Sequence, residues 1–161
     1  MISKRERILT IVHGHPDFSL GGGEIAAHNL YKAYAAQPGV EASVFLARHD
    51  RGKGATGAIS MRRENEYLWE QGVGDLFRMK AASAQSLFHS FSDLVRQVRP
   101  SVVHTHHYVH LGLEYLHILK KIDPTIRILM TLHEYIAICA NNGQMIKAGS
   151  GRLCFRESPE D

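Results

Sequence analysis

The sequence predicts an α/β protein, a Rossmann-like doubly wound sheet of mostly parallel strands. Three observations carry that expectation. Four short runs, residues 8–12 (ILTIV), 42–47 (ASVFLA), 101–104 (SVVH) and 126–132 (IRILMTL), are rich in β-branched and aliphatic residues. They are near-continuously apolar rather than alternating, as expected of strands buried on both faces of a parallel sheet. Helical spacing fills the stretches between them, and right-handed crossovers wind such an alternation into one open sheet.

The elements follow in order. After three glycines at 21–23, the apolar residues Ile25, Ala26, Leu30, Ala33 and Tyr34 recur at three- and four-residue steps. They predict a helix ended by Pro38-Gly39, with those residues on its inner face. Leu87, Phe91, Leu94, Val95 and Val98 line one face of a second helix, stopped by Pro100. A third helix is predicted over 111–121, with Asp123-Pro124 after it. Residues 52–82 hold Gly52, Gly54, Gly57, Gly72 and Gly74, the pair Arg62-Arg63, and the apolar spot Tyr67-Leu68-Trp69. One or two short strands in a loop-rich excursion are expected there. The whole chain reads as one domain, and residues 156–161 suggest no closing element, as at a cut within a longer protein.

Composition narrows the function classes. The chain has 161 residues, 44% hydrophobic and 22% charged, which excludes a disordered polymer. No apolar stretch approaches the ~20 residues a membrane span needs. Two cysteines, Cys139 and Cys154, are too few for a disulfide framework, so a cytoplasmic location is expected. They lie fifteen apart with no paired cysteine beside either, which favours buried thiols over metal ligands. A net charge of +3 fits anionic small molecules or a membrane surface. Arg48, Arg51, Lys53, Arg62 and Arg63 are basic, but no aromatic platform interleaves them, so no nucleic acid is expected. The same residues suit contact with anionic lipid at the inner face of the membrane.

In doubly wound sheets, ligands bind beyond the carboxyl ends of the strands. Here the strands run out into His13-Gly14-His15, His104-Thr105-His106-His107 and Thr131-Leu132-His133-Glu134. With His110, seven of the eleven histidines fall at that edge, which places a site there. The glycines sit between the first strand and its helix, where bare backbone N–H groups and the positive helix end suit a phosphate or the oxygens of a sugar. A tight turn with close packing explains the same glycines equally well. His104 and His106, at i and i+2, share a strand face and are of a type that binds zinc. The third and fourth ligands of an H-x-H-x-D-H pattern are absent, since Tyr108 and Val109 stand there. Hydrogen-bonding histidines are favoured, and no metal is expected.

Three segments in this order carry a family likeness: the strand followed by Gly-Gly-Gly-Glu24 and a helix, then "RPSVVHTHH" at 99–107, then "ILMTLHEY" at 128–135. Together they resemble the N-terminal domain of glycosyltransferase family 4, over about residues 8–145. The resemblance implies a retaining enzyme of the GT-B fold, with two Rossmann-like domains across a cleft. It implies an acceptor-binding half here and a donor-binding C-terminal domain absent from this chain. Gly22 and Gly23 would approach the diphosphate and sugar of a nucleotide-sugar, the co-substrate, with no cofactor required. His133 would contact the transferred sugar as the catalytic residue. His106, His107 and Glu134 would lie on the side of a carbohydrate or lipid-linked acceptor. The family's Arg/Lys pair on the diphosphate belongs to the second domain, so the isolated chain is expected to transfer no sugar. The Cys139 and Cys154 region also resembles a subset of the family with extra cysteines after this last segment, which implies further cysteines beyond residue 161 and keeps a metal role open for the pair.

Two rivals remain from the sequence. "GHPDFSLGGGEIA", 14–26, resembles the start of zinc-dependent sugar N-deacetylases, in which His15 would bind zinc and Asp17 would act as base. The next carboxylate ligand is replaced by Phe18 and the following Glu by Ser19, which removes most of the metal affinity. The other rival is a non-catalytic binding module of the same fold.

Overall fold

The computed structural model describes residues 5–50, 56–71, 84–139, 141–147 and 149–154. Arg51, Gly52, Lys53, Gly54, Gly72, Gly74, residues 156–161 and the side chain of Leu87 lie outside the described set. In chain order the elements are β1 (Glu6–Val12), α1 (Gly22–Ala35), β2 (Val40–His49), β3 (Ile59–Arg63), β4 (Glu66–Glu70), α2 (Ala84–Val98), β5 (Val102–His106), α3 (Glu114–Ile122) and β6 (Arg127–Thr131). The chain divides into two compact units, Met1–Thr131 and Leu132–Asp161.

The four apolar runs all become parallel strands of one six-stranded sheet in the first unit, ordered β3-β4-β2-β1-β5-β6. β1 is central and pairs with β2 and β5, so Thr10 stands between Phe45 and His104. β3 alone runs antiparallel, as a hairpin with β4. The two strands expected within 52–82 are therefore present, and β4 extends the parallel sheet beyond β2.

Alternation along the buried strands sorts their side chains to two layers. Leu9, Ile11, Val44, Leu46 and Val103 form one core with Phe91, Leu94, Val95 and Val98 of α2 and Tyr115, Ile118 and Leu119 of α3. Trp69 seals that core, stacked on Phe91 with ring centroids 5.0 Å apart and planes 9° apart. On the other face Val12, Phe45 and Ala47 meet Ala27 and Tyr31 of α1. The third helix begins later than its apolar pattern suggests, because Gly112 (φ 78°) turns the chain in the left-handed region before Glu114.

The inner face of α1 differs from the one its apolar residues predict. Ile25 and Leu30 are exposed, and so are Ala26 and Ala33. The buried stripe is Glu24, Ala27, His28 and Tyr31, also at i, i+3, i+4 and i+7. Polar partners decide the rotation: Glu24 and His28 both find hydrogen-bonding groups beneath the helix. Neighbouring positions should therefore respond oppositely. Tyr31→Ala, which removes a ring packed 5.3 Å from Phe45, is expected to cost about 3 kcal/mol. Leu30→Ala should cost under about 1 kcal/mol. Urea midpoints of the two variants check this, and equal losses would contradict the observed face.

Candidate functional site

The chain leaves β1 toward β2 and returns from β4 to β5 on the other side of β1. Strand order thus reverses between β1 and β5, the position where doubly wound sheets open a crevice at the carboxyl edge. The loops after these two strands flank it. His13 follows β1, and its ring lies edge-on to His107 at 5.4 Å and 6.0 Å from His110. His107 (φ 72°) and His110 (φ 73°) both hold left-handed backbone, which non-glycine residues adopt at a cost of about 1–3 kcal/mol. Two such residues in one loop mark the crevice as a place where geometry overrides local preference.

Glu24 occupies the centre of the β1–α1 connection. It sits in the first turn of α1, with Gly21 as the N-cap residue, and is 5% exposed. A carboxylate there meets the positive end of the helix. The Ser19 hydroxyl donates to it at 2.6 Å, and His13 Nε2 lies 3.4 Å away. This carboxylate explains the nearby glycines. A Cβ on Gly21 would fall inside contact distance of the Glu24 carboxyl group, and one on Gly14 would meet Glu24 Oε1 at 3.0 Å. Gly22 is different, because a Cβ there has no neighbour within 4 Å. The glycine that packing demands is thus Gly21, whereas Gly22 presents its backbone to open space.

The histidines of β5 divide by role. His104 has both ring nitrogens engaged, Nδ1 with the Tyr34 hydroxyl at 3.0 Å and Nε2 with Thr131 Oγ1 at 2.8 Å. That leaves it no lone pair for zinc, although its ring lies 4.3 Å from His106 on the same strand face. His106 and His107 are 1% and 3% exposed. The imidazoles reached from the crevice are therefore those of His13 and His110, which are only half-buried. On the opposite sheet face, Thr105 shares a 2.6 Å hydrogen bond with the Tyr115 hydroxyl, whose pKa burial pushes up to about 12.

His15 belongs to a separate buried group beneath α1. His15 Nε2 is 3.1 Å from Glu66 Oε2, and His28 Nε2 is 3.3 Å from Glu66 Oε1. These three are the residues, among those described, whose ligand atoms come close enough to one another to hold a metal ion. The hydrogen bonding argues against that use. The Asp17 backbone N–H donates to His15 Nδ1 at 3.0 Å, so the proton of the neutral ring is on Nε2, where a metal would need the lone pair. Burial lowers the His15 pKa by more than Glu66 and Asp17 raise it, leaving a neutral donor. Burial pushes Glu66 up, but the bonds from His15 and His28 and the Arg63 charge outweigh it and hold the carboxyl below its usual range. Asp17 is pushed up by desolvation and brought lower overall by its Arg62 bond and the charges of His15, Arg63 and Arg62. It pairs with both guanidinium groups, an arrangement unlike a free general base. Phe18, where a deacetylase would need a carboxylate, packs on His49 at 4.6 Å.

Arg48 is buried and paired with Asp50 at 3.2 Å, so it is no part of a basic surface, whereas Arg62 and Arg63 are exposed. His133 and Glu134 open the second unit and are both exposed there. Cys139 and Cys154 are half-exposed rather than buried. Glu66 and His28 escaped the sequence reading, since nothing local links positions 38 apart. Glu24 was legible as the acidic residue directly after the glycines.

The mostly parallel sheet and its switch point between β1 and β5 define a Rossmann-like α/β domain. The chain belongs to glycosyltransferase family 4, whose family profile matches residues 20–153. A search of the curated proteins finds no significant match.

Two predictions follow from these contacts. Gly21→Ala should lower stability by about 1–3 kcal/mol by expelling the Glu24 carboxylate, with Glu24→Ala restoring part of the loss, while Gly22→Ala stays within about 1 kcal/mol of the parent. Thermal melts of the four proteins test this, and a Gly22 variant as damaged as the Gly21 one would refute the distinction. The second concerns pH. The lowered His15 pKa means the unfolded chain binds the extra proton, so stability falls as pH drops below 6.5. Glu66, also lowered, adds a further loss below 4.5 as the pH approaches its folded value. Glu66→Gln should flatten the lower limb, read from denaturation midpoints between pH 7 and pH 3 (roughly the range over which such groups titrate).

Proposed function

We propose that this chain is the acceptor-binding half of a retaining glycosyltransferase of the GT-B fold, moving a sugar from a nucleotide-sugar to a carbohydrate or lipid-linked acceptor. Family membership supports sugar transfer in general. The observation that carries the finer reading is the crevice between β1 and β5, with its part-exposed His13 and His110 and the open Gly22 backbone beside it.

In this reading Gly22 and Gly23 admit the donor's diphosphate to the first turn of α1, whose free N–H groups suit its oxygens. Glu24 already holds the seat beside Gly21, so the anion is directed to the open side at Gly22. His106 and His107 lie on the acceptor side, and the family resemblance also assigns Glu134 to the acceptor and His133 to the transferred sugar. No protein nucleophile acts. The departing diphosphate is stabilised electrostatically and the acceptor attacks on the same face, so positioning supplies the rate. The groups that neutralise the diphosphate belong to a second, donor-binding domain, and this chain alone is inactive.

The reading places the protein in the cytoplasm, touching the inner membrane face through Arg62 and Arg63. Arg62 lies 5.5 Å over the ring of Phe18, and Phe18 and Leu20 are exposed, a basic and apolar combination that suits anionic lipid. Among the described residues, no helix is long and apolar enough to cross a membrane.

Titration calorimetry of the chain against a panel of sugar and lipid-linked acceptors tests the assignment. Saturable binding is expected, weakened about tenfold or more by His110→Ala (the loss of one charged or polar contact), with no nucleotide-sugar turnover. Turnover by the isolated chain would overturn the half-enzyme reading, and absence of any His106- or His133-dependent binding would favour a non-catalytic module.

A further inference from the structure

The unit Leu132–Asp161 is described over residues 132–139, 141–147 and 149–154. None of its described residues is buried, and Tyr135, Ile138 and Leu153 are 61%, 74% and 61% exposed. Within it, Cys139 and Cys154 both bond to one residue, Met145. The Met145 N–H donates to Cys139 Sγ at 3.3 Å, and the Cys154 N–H donates to the Met145 carbonyl at 2.7 Å. The antiparallel bridge between Ile146 and Leu153 sets Cys154 opposite Met145, which brings their Cα atoms to about 5.5 Å. Both cysteines thus bond to Met145, Cys139 through its sulfur at the N–H and Cys154 through its N–H at the carbonyl.

We propose that Cys139 and Cys154 are a redox-active pair that closes a reversible disulfide and staples this loop. The backbone around Cys139 is shaped to hold a sulfur anion. Asn142 (φ 50°), Gly143 (φ 76°) and Met145 (φ 56°) curl through left-handed conformations, and successive N–H groups in such turns form an anion-binding nest. A Cβ on Gly143 would meet the Ile136 backbone N at 3.0 Å, so the curl needs glycine there. The Met145 hydrogen bond lowers the Cys139 pKa, aided by the amides of Asn141, Gly143 and Gln144, against a smaller opposing effect of desolvation.

The oxidant is a low-molecular-weight disulfide such as oxidised glutathione. Cys139 thiolate attacks one of its sulfurs, forming a mixed disulfide and releasing one thiolate. Cys154 thiolate then attacks the Cys139 sulfur, forming the Cys139–Cys154 bond and releasing the second. The two protons lost by the cysteines leave with the two small thiols, and a dithiol reverses the sequence.

Oxidised glutathione added to the folded chain tests this directly. The intact mass should fall by two hydrogens, and an unreduced digest should yield one cross-linked peptide containing Cys139 and Cys154, lost on reduction. Cys154→Ser should stop at a glutathione adduct on Cys139, and Cys139 should alkylate faster than Cys154 in the parent. Amide exchange over 141–147 should slow by roughly a hundredfold on oxidation, the effect expected for closing a loop of about 15 residues. Two glutathione adducts with no internal link, an interchain link, unreacted cysteines, or a metal ion that co-purifies and is released by chelation would each overturn the proposal.

Discussion

A buried carboxylate at the start of α1 sets the geometry of the carboxyl edge. Glu24 is removed from water, so its oxygens must be met by the helix end and by donors from the preceding loop. Ser19 and His13 supply contacts, and the loop must pass close enough to deliver them. That closeness leaves no room for side chains at Gly21, and little at Gly14. The same carboxylate fixes the roll of α1 about its axis. With Glu24 facing inward, His28 and Tyr31 follow one and two turns later, and the apolar Ile25 and Leu30 turn outward.

The two edges of the sheet treat charge differently. At the amino edge, Arg7 pairs with Glu41 at 2.6 Å and donates to the Val98 carbonyl at the end of α2, while Arg127 reaches Glu6. Lys120 donates to the Ile126 carbonyl at 2.6 Å. Cations there meet carbonyls and helix C-termini, where they are favoured, and opposite charges close on one another. At the carboxyl edge, imidazoles whose charge is conditional on pH and contact stand beside the buried Glu24 carboxylate, with His13 Nε2 3.4 Å from it.

β1, β2 and β5 were readable because burial on both faces leaves a signal within four to six consecutive residues, as in 8–12 and 101–104, whereas the apolar run of β6 forms a strand that is largely exposed. The hairpin of β3 and β4 was readable only as an excursion, since β3 is an exposed edge whose residues carry no apolar run. The face of α1 was misread for a physical reason. Hydrophobic periodicity assumes that burial follows apolarity, and a helix whose inward residues include Glu and His breaks that assumption. Carboxylate and imidazole pay no desolvation penalty in full when Ser19, His13 and Glu66 answer them, and those partners come from other elements. The switch-point histidines were legible as a cluster, yet their division was not. Whether a histidine lies in the crevice (His13, His110), under the helix (His15) or bonded through both nitrogens (His104) depends on contacts as much as 70 residues apart in sequence.

The division of labour between Gly21 and Gly22 bears on how such a loop can change. If both glycines served packing, the loop could not be altered without loss of the fold; if both served a ligand, the fold would be indifferent to them. Here Gly21 is bound to Glu24 by sterics, whereas Gly22 stands at the first helical position with open space before it. A residue with a side chain would suit that helical position at least as well as glycine does. Stability therefore gives no reason for glycine at 22. In the proposed reading, close approach of a ligand to the helix N–H groups gives one, and the carboxylate behind Gly21 fixes the side from which that approach is made.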